Sequence, residues 1–552
     1  MKAALLALLL LTSLSAMADD RSKHFPILGG ELSNSAATCV EDIDEVMPRM
    51  QRLGLNTVLV PAYWELMEPQ EGKFDFTLID RTIQQARNHD LKVVFLWFGA
   101  WKNSMSCYAP LWVKQDTRRF PRARTANGKP LEIASAFSDN VLQADLRAFT
   151  ALMKHIRDVD TEGTVIMMQI ENEIGMLEDA RDHSPLAEAI YKKGVPAELV
   201  GYLKKHSKQL HPWLQARLQA LKPDESWTAV FGEDIYTDEI FMAYYYALYV
   251  EHLAQAAREI LPDMPLYVNA AMNSRGRKPG EYPSAGPLAH LIDLWHCGAP
   301  TIDLLAPDIY DTGFKDWAAQ YALPNNALFI PESRCCANSG VRALYAFGEH
   351  RALGFSPFAI DQASPSETES VTQAYGLMRQ LQNCPWEAPA STTQWGLLFD
   401  QQDSERIIED GDLVLTCRHY FTLPWDSRAT DGSIWPEGGA VIVRIGPKDY
   451  LMAGSGIVVS FATKTEKQQE EQKTLGEDGF ADNGDGSSQS PAAAKPFTGR
   501  RIGIASVDEV SIDAQGIHPI RRHNGDQSHQ GRHARISVGE WKMLRVRLYE
   551  YD

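Results

Sequence analysis

Eight short apolar runs, separated by segments of helical spacing, constrain this chain more than any other feature. They read FPILGGEL (25–32), NTVLVPAYW (56–64), KVVFLWFG (92–99), TVIMMQIENE (164–173), PLYVNAA (265–271), DLLAPDIY (303–310), ALFIPES (327–333) and FSPFAID (355–361). A strand with one wet face alternates apolar with polar residues, whereas a parallel strand covered on both faces does not, and these runs are of the second kind. Between them, Val40, Ile43, Met47 and Met50, and again Leu142, Leu146, Phe149 and Met153, recur at helical intervals. Eight strands alternating with helices predict an α/β fold, a (β/α)8 TIM barrel, over 19–384. Its largest insertion falls between the fourth and fifth strands. There IFMAYYYALYVEHLAQAAREIL (240–261) reads as one long helix.

Past CPWEAPAS (384–391) the texture changes to short β-prone runs bounded by Gly, Asp and Pro. These predict a smaller C-terminal antiparallel β domain over 385–552. The polar, Gly- and Ser-rich segment 463–499 inside it reads as a flexible insertion. Its DNGDG lacks the rest of a calcium-loop ligand pattern.

The first twenty residues, MKAALLALLLLTSLSAMADD, have the charged, apolar and small-residue regions of a secretory signal. Cleavage after Ala18 and a periplasmic or secreted location are therefore expected. No later run reaches the roughly 18 apolar residues a membrane span needs. A net charge of −18 without a basic block argues against nucleic acid as a partner. Seven cysteines with no CxxC spacing argue against a zinc site.

Polar residues at strand ends carry the functional reading. QIENEIG (169–175) places Glu171, Asn172 and Glu173 at the mouth of the fourth strand, and FIPES ends the seventh strand with Glu332. Barrel enzymes draw their chemistry from the C-terminal ends of different strands. Two carboxyls converging on one cavity suit glycosidic cleavage, where one protonates the leaving oxygen and the other faces the anomeric carbon. Taken singly, each is equally well explained as an ion-pair partner or helix cap.

NTVLVPAYWELMEPQEGKFDF followed by QIENEIG resembles glycoside hydrolase family 35, the β-galactosidases of clan A. GGELSNS, LLAPDIY, ALGFSPFAID and HNGDQSHQGRHARI resemble a bacterial branch of that family with a β-rich C-terminal domain. The resemblance implies a retaining, exo-acting β-galactosidase removing terminal β-D-galactosyl residues from oligo- or polysaccharides such as xyloglucan oligosaccharides, without metal or organic cofactor. It implies Glu173 as acid/base and Glu332 as nucleophile. It further implies Asn172 as a partner of the sugar 2-hydroxyl, Tyr310 as the residue orienting Glu332, and Trp64 as a substrate contact. Glu171 reads as an organising hydrogen-bond acceptor deeper in the barrel. The pattern departs at Pro61, where the family carries Tyr, and in WFGAWKNSM, where its third-strand grip on galactose is missing. Trp101, Asn103 and Glu31 are the candidates to replace that grip. The rival readings are another clan-A β-glycosidase, acting on β-glucosides or β-mannans, and a non-catalytic glycan-binding protein.

Overall fold

The computed structural model describes residues 26–219, 221–310, 312–384, 394–423, 425–469 and 498–552. The expected signal segment and residues 470–497 of the expected insertion lie outside the described residues, whereas its first residues form a short helix, Lys464–Gln469. Eight parallel strands close into a barrel: Ile27–Glu31, Thr57–Tyr63, Lys92–Phe98, Val165–Gln169, Leu266–Ala271, Leu304–Ile309, Phe329–Ser333 and Gly354–Pro357. Each coincides with one of the eight apolar runs. Their burial is near-complete, every residue of Thr57–Tyr63 being buried, because side chains fill the interior on one face and meet helices on the other. The long helix of the fourth insertion runs Ile235–Ile260, and fifteen of its residues are buried, which explains why it shows little polar face. No helix among the described residues is long and apolar enough to cross a membrane. None of the seven cysteines forms a disulfide among the described residues.

Contacts divide the chain into two compact units. One comprises Ile27–Cys335 with Ala352–Ser364, and so contains all eight barrel strands. The other takes Cys336–Arg351 and Pro365–Asp552, so the helices Ser339–His350 and Pro365–Gln382 count with the β-rich region. This differs from a single boundary at residue 384. The reason is close backbone approach: a Cβ on Gly348 would lie 2.7 Å from the Gly396 Cα, on the strand Gln394–Phe399. Gly348→Ala sets a helix-propensity gain of about 1 kcal/mol against an overpacking cost of about 1–3 kcal/mol that falls on backbone. Net destabilisation is expected, read as a lower urea midpoint with an unchanged slope.

Within this second unit a six-stranded and a four-stranded antiparallel sheet share one core. Leu397, Ile442, Met452 and Leu544 come from the first sheet, and Ile408, Leu415, Val459 and Ala534 from the second.

Candidate active site

The fourth strand ends at Gln169, and the backbone beyond it leaves regular geometry. Glu171 and Glu173 both adopt left-handed conformations, with φ of 58° and 44°. Such positions cost of order 1–3 kcal/mol each and persist only where the surroundings hold them. Here the holding groups are specific. The Glu173 N–H donates to Asn269 Oδ1 at 2.9 Å. The N–H groups of Asn103 and Ser104 donate to the carbonyls of Asn172 and Glu173, each at 3.2 Å. The segment after the third strand is thus zipped onto QIENEIG.

The distorted backbone gives the two glutamates of QIENEIG separate surroundings. Glu171 accepts from the Trp101 N–H at 2.7 Å and the Ala100 N–H at 3.3 Å. Burial, and then the neighbouring Asp145, push its pKa well up. Asp145 in turn accepts from Trp97 Nε1 at 2.8 Å and from the Tyr249 hydroxyl at 2.7 Å. Glu171 is an organising acceptor, as expected. Glu173 instead joins Glu332, and one carboxylate oxygen each from Glu173, Asp308 and Glu332 lies within 4.8 Å of the other two. These three carboxylates are the grouping among the described residues that could hold a metal ion.

Glu332 is held from several sides. The Tyr310 hydroxyl donates to its Oε2 at 2.6 Å. Its Oε1 accepts from Asn172 Nδ2 at 3.2 Å and Asn269 Nδ2 at 3.1 Å. Asn269 Nδ2 also donates to Asp308 Oδ2 at 2.8 Å. Asn103 donates from its side chain to Glu173. Glu31, fully buried at the end of the first strand, has both carboxylate oxygens without a hydrogen-bond partner. Burial, then the charge of Glu332, raises its pKa well above the usual range.

Among these carboxyls stands Lys102, only 4% exposed, whose Nζ donates to Asn172 Oδ1 at 2.7 Å. Burial alone would lower its pKa, but Glu332, Glu173, Glu31 and Asp308 together raise it. Burial and the charge of Glu332 push Glu173 up to about 7, with Lys102 opposing. Asp308 is likewise raised, by burial first and then by Glu332 and Glu173. At pH 6 the cluster therefore holds Glu173 as an acid beside a lysine cation.

The structure brings Glu31, Asn103, Asn172, Glu173, Tyr310 and Glu332 together, and it corrects two expected substrate contacts. Trp64 is fully buried, donates from Nε1 to Glu68 Oε2 at 2.8 Å, and packs at the edge of Trp112. Trp101 is also fully buried, wedged edge-on against Tyr246 and Tyr249. Neither indole offers an open face for stacking. Sequence reasoning missed Lys102, Asn269 and Asp308. The last two carried the same signal as QIENEIG, a polar residue inside an apolar run (PLYVNAA, LLAPDIY).

Residues 36–240 match the family model described as Beta-galactosidase, glycoside hydrolase family 42. Over those residues the barrel is similar to a glycoside hydrolase domain. The resemblance to family 35 is corrected accordingly: the matching family is a different one within the same clan. A second family model, a domain of unknown function (DUF5597), matches residues 371–535. No curated protein sequence matches the chain. Among solved structures, the β-galactosidase of the psychrophilic Marinomonas ef1 aligns with TM-score 0.44 and 13% identity, over 64% of this chain and 59% of its own. A family 42 β-galactosidase from G. stearothermophilus aligns with TM-score 0.46 and 15% identity, over 67% and 60%. The polyextremophilic β-galactosidase of the Antarctic haloarchaeon Halorubrum lacusprofundi gives 0.42 and 14%, over 64% and 58%. This chain thus spans about three-fifths of the length of each of those chains.

Proposed function

We propose that the protein is a retaining, exo-acting β-galactosidase releasing terminal β-D-galactosyl residues from oligosaccharides. One observation carries the retaining mechanism: Glu173 and Glu332 present carboxylate oxygens within 4.8 Å of each other. Retaining glycosidases hold their carboxyls about 5–5.5 Å apart, whereas inverting ones leave about 6.5–9.5 Å for a water. Glu332, fixed by Tyr310, Asn172 and Asn269, attacks the anomeric carbon, and its bond to carbon forms as the glycosidic bond breaks. Glu173 gives its proton to the departing oxygen. The same carboxylate then takes a proton from water, which displaces Glu332 and regenerates both groups. A Glu173 pKa of about 7 suits both duties near neutral pH.

Galactose as the sugar rests on the family match over residues 36–240. Xyloglucan-derived oligosaccharides are the substrate we favour within that class. A panel of aryl β-glycosides differing at C2 and C4 tests the sugar. Proton NMR of the first product tests the mechanism: β-galactose is expected, and α-galactose would exclude a covalent intermediate on Glu332.

A further inference from the structure

The four-stranded sheet of the C-terminal unit has one face in the core; the other carries two arginines flanking Val458, which packs into a smaller apolar cluster with Tyr420, Phe421 and Leu423. Arg418, Val458 and Arg535 stand opposite one another on three neighbouring strands, with Glu405 across from Arg418 on the edge strand. Paired residues share a face. The adjacent rung, Cys417, Val459 and Ala534, lies in the core, so Arg418 and Arg535 point away from it. His533, two residues before Arg535, lies on the same side. The preceding loop, from the HNGDQSHQGRHARI stretch, adds His529 and Arg532.

Aromatic rings gather over this row. Trp425 stacks on His529 at 5.2 Å and 19°, and His529 on His533 at 5.9 Å and 8°. The Arg535 guanidinium lies 5.1 Å from the Trp425 ring centre. Trp425 nevertheless keeps 39% of its surface exposed.

Two buried nitrogens here are left without partners. His533 is 4% exposed, and its Nε2 has no hydrogen-bond partner. Arg535 Nη1 is buried and also has none, although its Nη2 donates to the Asp526 carbonyl at 2.6 Å. Neither Arg532 nor Arg535 makes an ion pair among the described residues. A buried polar group left unfilled is costly. Burial, followed by Arg535, His529, Arg418 and Arg532, drives the His533 pKa down to about 3. Such a concentration of positive charge on a chain of net charge −18 is the signature of a site awaiting an anion.

We propose that this face of the C-terminal unit binds the carboxylate of an acidic saccharide, a uronic acid unit, with Arg535 and His533 as donors and Trp425 against the sugar ring. A guanidinium pairs with a carboxylate through two parallel N–H bonds. The part of the indole left exposed beside it offers apolar surface to the C–H side of a sugar, which a bare inorganic ion would not use. The choice of a saccharide rests on the glycan-cleaving reading of the barrel, but the need for an anion does not.

Calorimetric titration of the whole chain tests this, in a Glu332→Gln background so that ligand is not consumed. The probes are galacturonic acid oligosaccharides, neutral galacto-oligosaccharides and inorganic phosphate. Saturable binding of the acidic saccharide alone is expected. Arg535→Gln and Trp425→Ala should each weaken it by about tenfold or more, and in the otherwise native chain should leave aryl galactoside hydrolysis within about twofold. If Arg535→Gln does not fold, Trp425→Ala at the half-exposed indole carries the same test. Equal binding of neutral sugar would overturn the anion requirement. Phosphate binding as tightly as the saccharide would overturn the sugar, and no binding at all would overturn the site. Acidic saccharide binding by a chain that hydrolyses no glycoside would leave this site standing and remove the reading of the barrel.

Discussion

Glu332→Gly is expected to abolish turnover of ordinary galactosides, with kcat falling on the order of 10⁴-fold or more because no covalent intermediate can form. The space left beside Asn172, Asn269 and Tyr310 admits a small anion. Azide with an activated aryl galactoside should attack from that face and give the α-galactosyl azide. Glu173→Ala should fail differently. Losing a general acid costs about 10²–10⁴-fold where the leaving group needs a proton. A dinitrophenyl group needs almost none, so glycosylation should survive better than deglycosylation and a burst should appear. Azide then intercepts the intermediate from the opposite face and gives the β-azide. The reverse assignment, β-azide from Glu332→Gly and α-azide from Glu173→Ala, would mean that the roles are exchanged. Full activity in both would move the chemistry to another carboxyl, with Asp308 the nearest candidate.

Lys102→Met should move the alkaline limb of kcat/KM upwards. That limb follows loss of the Glu173 proton in the free enzyme. Lys102 pulls the Glu173 pKa down while burial and Glu332 push it up. Removing the cation therefore raises a value already near 7, and the acid stays protonated to higher pH. The groups facing Lys102 are Glu31, Glu173, Asp308 and Glu332 within the cluster, with Cys107 and Tyr108 beside it. An opposite charge at this range shifts a carboxyl by roughly 1–3 units, which sets the expected displacement. The rate at the optimum should also drop, since Lys102 fixes the Asn172 amide whose Nδ2 faces Glu332. Lys102→Arg should return the limb close to its native position. A limb that stays put in a well-folded Lys102→Met protein, judged by its melting curve, would show that the lysine acts through packing alone.

How much of the site could be read beforehand depended on whether the signal was local. Glu173 and Glu332 stood out because a carboxylate closing an apolar run is costly without a task. Asn269 and Asp308 carried that signal more weakly, inside runs that otherwise read as plain strands. Lys102 carried none: in WFGAWKNSM it looks like any loop lysine, and only its 4% exposure among four carboxyls distinguishes it. Trp64 and Trp101 misled for the converse reason. An indole near a strand end can stack on sugar or on protein, and both are used up by Trp112, Tyr246 and Tyr249.

The barrel itself was determined by the sequence, since each strand's continuous apolar run and each helix's spacing express burial within one element. The β-rich C-terminal region was legible on the same grounds. What only the tertiary structure decided is which strand ends meet. Asn172 and Glu332 are 160 residues apart, and it is closure of the barrel that sets their 3.2 Å contact. The same holds for the left-handed turns at Glu171 and Glu173, which send one carboxylate to Asp145 and the other to Glu332. Periodicity along a chain reports which face of an element is buried. Distances between elements, and the pKa values that follow from them, come from packing that no single segment encodes.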